Sequence, residues 1–186
     1  MLFNHDRIVF LQEVFLVHKR YHATGAPCVD GDYFSLFQEK AISLGGRLVD
    51  MFPQPGGAKT LRASKLSAHE FVQNFVGVSV AKHGISSIIL GNHLQCGAYE
   101  KFGLSLPEEE VLQRRHIERA VRFLSDYIPM GIRHYLKEEE LPGQEVQNLE
   151  TVLESGLIIR ALLIKPHDMS RRITDPSTQC FVEQVI

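Results

Sequence analysis

The sequence predicts an α/β protein: a largely parallel β-sheet flanked by helices. Apolar runs of strand length, Ile85 to Leu90 and Leu157 to Lys165 above all, alternate with helical stretches about twice as long. That alternation demands crossover connections, hence parallel strands covered on both faces. Two segments, Ser67-Ala68-His69-Glu70 and Ser105-Leu106-Pro107-Glu108, read S-x-x-E. In such a box the serine caps the amide three residues on and the glutamate reaches back, so each is expected to open a helix.

In chain order, "YFSLFQEKAISLGG" predicts a helix closed by Gly45 and Gly46, and Arg47 to Phe52 a short strand. "FPQPGGAKTLRASK" is a turn-rich loop long enough to form a functional lip. After Ser67, the apolar residues Phe71, Val72, Phe75, Val76 and Val80 recur at helical spacing until Gly84, and the strand Ile85 to Leu90 follows at once. After Ser105, a second face of Val111, Leu112, Ala120, Val121, Leu124 and Ile128 ends near Pro129. "QEVQNLETVLESG" predicts a helix stopped by Gly156, "LIIRALLIK" a strand, and the polar text beyond Pro166 an edge strand or tail. Upstream of Cys28, "HKRYHATGAP" is poorly written as a strand. Residues 1–26 are therefore read as a candidate N-terminal arm of one domain spanning 1–186, with the apolar "RIVFLQEVFLV" as the part that would pack on a neighbour.

At 186 residues, 44% apolar and 23% charged, the chain has material for one continuous core. A formal charge of −2 and no long Lys/Arg run give no pull toward nucleic acid or an anionic membrane. No window approaches the roughly 20 apolar residues of a membrane span, and no secretory leader is legible, so a cytoplasmic location is expected. Three cysteines argue for reduced thiols rather than a disulfide framework.

Ligands in open α/β sheets gather outside the carboxyl ends of the strands. His93 and Cys96 follow such an end at Leu90-Gly91, and Cys28 and Asp30 lie in "PCVDGDYF" just before a helix. Taken singly, Cys28 or Cys96 is more simply a core residue. Together with His93 they form a soft donor set suited to tetrahedral zinc, with one position left for water or a carboxylate. Cys180 has no such partner motif and is read as a packed or exposed thiol. His116 and His134 are read as surface residues, "KEEEL" as a solvated face, and Glu108, Glu109 and Glu110 as suited to the positive end of their helix. His22, His69 and His83 are candidate proton shuttles.

"CVDGD" followed by "HLQCG" resembles the C-x-D-x-R and H-x-x-C-G pair of the β-carbonic anhydrases, with a similar separation of 65 residues between Cys28 and His93. "MFPQPGGA" falls where that family has an R-N-A-G turn, with Gly56 matching its glycine. The resemblance implies a Zn2+ site of Cys28, His93 and Cys96, with Asp30 as catalytic residue or fourth ligand. It implies reversible hydration of CO2 to bicarbonate or action on a close relative, and a homodimer or higher homo-oligomer. The family's arginine is Asp32 here. Locally Asp32 reads as a turn residue or helix cap, but it removes the cation that would hold Asp30 off the metal. Asp30 is then expected to close the site and weaken hydration, unless Arg47 or Arg62 substitutes. Two further readings stand beside the lyase: a zinc-binding member of the fold with a binding or regulatory role, and a metal-free thiol enzyme with Cys96 as nucleophile and His93 as base.

Overall fold

The computed structural model describes residues 21–30, 33–45, 48–62, 66–168 and 180–186. Asp32, Arg47, the "RIVFLQEVFLV" segment and the side chain of His22 lie outside that description. The order of elements is β1 (Tyr21–Ala26), α1 (Phe34–Gly45), β2 (Leu48–Met51), α2 (Ala58–Leu61), α3 (Leu66–Asn74), a π-helix (Phe75–Val80), β3 (Ser87–His93), α4 (Gly97–Glu100), α5 (Leu106–Glu138), α6 (Gly143–Ser155), β4 (Ile158–Pro166) and β5 (Cys180–Gln184).

The sheet has five strands in the order β2-β1-β3-β4-β5. The first four are mutually parallel and β5 is antiparallel to β4. The expected α/β class with a largely parallel, helix-flanked sheet is thus what the chain adopts. β3 lies at the centre and is buried along its whole length. Its side chains alternate between the two faces: Ile88 and Leu90 join one core cluster with Phe71, Phe75, Leu124, Ile128 and Val152, while Ile89 joins another with Phe37, Ala41 and Leu162. α1 therefore covers one face, and α3, the π-helix, α5 and α6 cover the other.

Four expectations need correction. Tyr21–Ala26, placed in the candidate arm, are β1 and pair with both β2 and β3. The strand is hard to read because small residues are needed there: a Cβ on Gly25 would lie 2.5 Å from Met51 Sδ and 3.1 Å from Phe37. The helix expected to end near Pro129 continues to Glu138 with the proline inside it. Ile128 and Ile132 keep the apolar stripe buried across the break, and that packing outweighs one lost backbone hydrogen bond. α3 begins at Leu66, so Ser67 sits within the helix, whereas Ser105 forms the expected capping box with Glu108. Finally, the turn-rich loop contains the short helix α2.

Candidate metal centre

Two neighbouring parallel strands deliver the donors. β1 runs on through Pro27 to Cys28, whose amide donates to the Gly91 carbonyl (3.0 Å). β3 ends on His93, and three residues later Cys96 is the N-cap of α4. The segment after β2 continues beside β1, with the Gln54 amide on the Pro27 carbonyl at 2.7 Å. The turn at Gly56 and Gly57 then places the Ala58 amide 2.8 Å from Asn92 Oδ1. Gly57 has φ 55°, and a Cβ there would lie 2.3 Å from the Gly91 carbonyl oxygen. Only glycine allows so close an approach with that backbone.

The sulfurs of Cys28 and Cys96 are 3.6 Å apart. With a ring nitrogen of His93 they form a group of donor atoms all within 4.8 Å of one another, and all three residues are buried. Nδ1 of His93 donates to the Leu94 carbonyl at 3.0 Å, because a carbonyl can only accept. That fixes the tautomer and leaves Nε2 with its lone pair bare. Nε2 is buried without a hydrogen-bond partner, an uncommon and costly state. The Tyr33 ring stacks on the imidazole, with centroids 3.7 Å apart and planes 18° from parallel. Asp30 Oδ2 lies 3.8 Å from Nε2, on a side chain 37% exposed.

The donors fit a thiophilic divalent metal. Two sulfurs and an imidazole nitrogen that is buried without a hydrogen-bond partner converge on one point. The two sulfurs face each other at hydrogen-bond distance. The hydrogen bond from Cys96 pulls the Cys28 thiol well below its ordinary range against the opposing pull of burial, with further help from His93 and the Asp30 backbone. The bond to Cys28, burial and the nearby negative charges hold Cys96 far above it.

A buried polar network supports the turn between His93 and Cys96. Gln95 has φ 57°, a left-handed conformation that non-glycine residues rarely adopt. Glu109, on the first turn of α5, accepts the Gln95 amide at 3.1 Å and the Cys96 amide at 3.2 Å. Gln113 Nε2 donates both to Glu109 Oε1 (2.7 Å) and to the His93 carbonyl (2.6 Å). Asn92 Nδ2 donates to Gln113 Oε1 at 3.0 Å and faces the Tyr99 hydroxyl at 3.5 Å. Tyr99 in turn bonds His116 Nδ1 at 2.8 Å. His116, expected at the surface, is buried; burial first, then Arg62, Arg119 and Lys59, lowers its pKa to about 4. In the neutral tautomer with its proton on Nε2, the ring accepts a hydrogen bond from the Tyr99 hydroxyl.

Sequence reasoning missed Glu109, Gln113 and His116 as an inward face. Their spacing of four and three residues was the available signal, while Val111, counted on that face, is 51% exposed. His134 is exposed as expected. His83 pairs with Asp50 at 2.8 Å in the turn before β3, and His69 packs edge-on against Phe123 and Tyr127. Neither joins the donor group. Arg62 directs Nε to the Lys59 carbonyl at 3.1 Å. Cys180 is half-buried in β5. A cleft of about 500 Å³ opens beside Cys96, lined by Gln95, Tyr99, Leu106 and Glu109 among others. Among the described residues no helix is long and apolar enough to cross a membrane.

No protein-family model and no curated protein matches the chain. Among solved structures, the β-carbonic anhydrase CafA of the fungal pathogen Aspergillus fumigatus is similar at 16% identity and a TM-score of 0.42, over 96% of this chain and 82% of that one.

Proposed function

We propose that Cys28, His93 and Cys96 hold a zinc ion and that the chain is a lyase-type protein of the β-carbonic anhydrase kind, acting on CO2 and bicarbonate or a close relative such as COS or CS2. The convergence of two buried sulfurs on a tautomer-fixed imidazole with a bare Nε2 carries this reading. Bound there, zinc would supply Lewis acidity that brings the pKa of a coordinated water from 15.7 to about 7. The chain's own residues do the rest. His93 is aimed by its Leu94 bond and by Tyr33, the cysteines contribute the negative charge that offsets a dication, and burial of all three donors limits their contact with bulk water. Asp30, with its carboxylate 3.8 Å from Nε2, stands where it could orient a water or complete the ligand set itself.

With Asp32 in place of the family's arginine, a closed site at neutral pH is the favoured state, because a carboxylate near a dication gains more as a ligand than as a free anion. The protein then serves as a weak hydratase or a binding member of its fold. The resemblance also supports a homodimer at least, with the "RIVFLQEVFLV" segment as arm, and light scattering giving a monomer mass at micromolar concentration would reject it.

Elemental analysis should find about one zinc per chain, lost in Cys28→Ser, Cys96→Ser and His93→Ala. Metal-free protein inactivated by alkylation would instead favour the thiol-enzyme reading. Stopped-flow CO2 hydration should be weak, and Asp32→Arg should raise it. Robust hydration by the unmodified protein would overturn the closed site but not the metal assignment.

A further inference from the structure

We infer that Glu109 is a positioning residue of the metal centre, holding the left-handed turn at Gln95 so that His93 and Cys96 face the same point; the inference rests on the metal reading above. The turn from His93 to Cys96 is gripped at both ends. Glu109 accepts the amides of Gln95 and Cys96 through different oxygens, and Gln113, bonded to Glu109, holds the His93 carbonyl. Gln95 pays for this geometry with a φ of 57°, and without the clamp it would relax toward the ordinary regions of backbone space. Such relaxation moves Cys96 relative to His93.

A carboxylate is needed for this work. Three donors converge on it, two on Oε1 and one on Oε2. An amide in its place would offer one acceptor and turn an N–H group toward another donor. Burying a charge here without need would be costly, and the three hydrogen bonds offset that cost.

The test is metal affinity, measured by chelator competition with Zn2+ and by the thiolate charge-transfer absorption of Co2+, on the full chain. Glu109→Gln should bind about tenfold to a hundredfold more weakly, the range typical of residues that orient metal ligands. Gln95→Gly alone should bind close to normally, since glycine takes the left-handed conformation freely. Placed in the Glu109→Gln background, Gln95→Gly should recover a clear part of the loss, which a purely structural role for Glu109 would not produce. Should Glu109→Gln fail to fold, Glu109→Asp keeps the charge, shortens the reach and carries the same expectation. Unchanged affinity in the Glu109 variants of a metal-binding protein, or no recovery in the double variant, overturns the role of Glu109 alone. No metal uptake by the unmodified protein overturns the metal centre with it.

Discussion

At Tyr99, a single hydroxyl ties the helix face behind the candidate centre to the strand in front of it. Asn92 faces it as donor and His116 Nδ1 accepts from it, so the network runs in one direction and needs His116 neutral. The folded pKa of about 4 lies below the ordinary 6.5. Between these values the unfolded chain binds a proton that the native state refuses, so stability should fall as pH drops through that window and level off below it. His116→Gln, which keeps an acceptor without a titrating ring, should flatten this limb in urea melts at stepped pH; an unchanged slope would show that His116 contributes nothing to it. The three donor residues were legible in the sequence because each lies at or just after a strand end and each is chemically specific. Glu109, Gln113 and His116 were not, because polar side chains on an amphipathic helix read as solvated. Their spacing marks one helix face, but its burial depends on the His93–Cys96 turn and Tyr99 supplying partners.

Between elements, one charged cluster joins α5 to the antiparallel edge of the sheet. Arg114 meets Glu110 and Glu183 at 2.7 Å each, and Lys165 meets the same two carboxylates at 3.1 and 2.7 Å. Hydrogen bonds from Arg114 and then Lys165 hold the Glu183 carboxyl below its usual range. Lys165 is only 14% exposed, so the cluster is screened less than a surface pair. Lys165→Met should leave two acids on one arginine and cost about 1–3 kcal/mol in chemical denaturation, between the values for exposed and buried pairs. The penalty should shrink in high salt; a salt-independent loss would point to packing instead. The helices and the central strands were legible through periodicity and apolar runs. β1 was obscured because close approach of Phe37 and Met51 selects small residues there, and α5 was cut short at Pro129 because buried contacts override local propensity.

For the molecule as a whole, the candidate centre is a tie between parts that sequence separates widely. Cys28 follows β1, while His93 ends β3 and Cys96 caps α4, so a bound metal would pin two adjacent strand ends and one helix start. A ligand that binds only the native state stabilises it by mass action, about 4 kcal/mol at a thousand times Kd. For a domain of this size that corresponds to roughly 10 °C in Tm. Chelation should therefore lower Tm by about that amount and leave the sheet intact, since the apolar clusters on both of its faces contain none of the three donors. Hydrogen exchange should localise the loss. Amides of 28–30 and 93–100 should exchange faster without metal, because Nε2 and the two sulfurs lose their shared partner. Amides at the amino end of β3 and along β4 should keep their protection, being held by ladder bonds and burial alone. Uniform acceleration across the sheet would mean that the metal supports global folding rather than this corner, as in small domains that fold only when loaded.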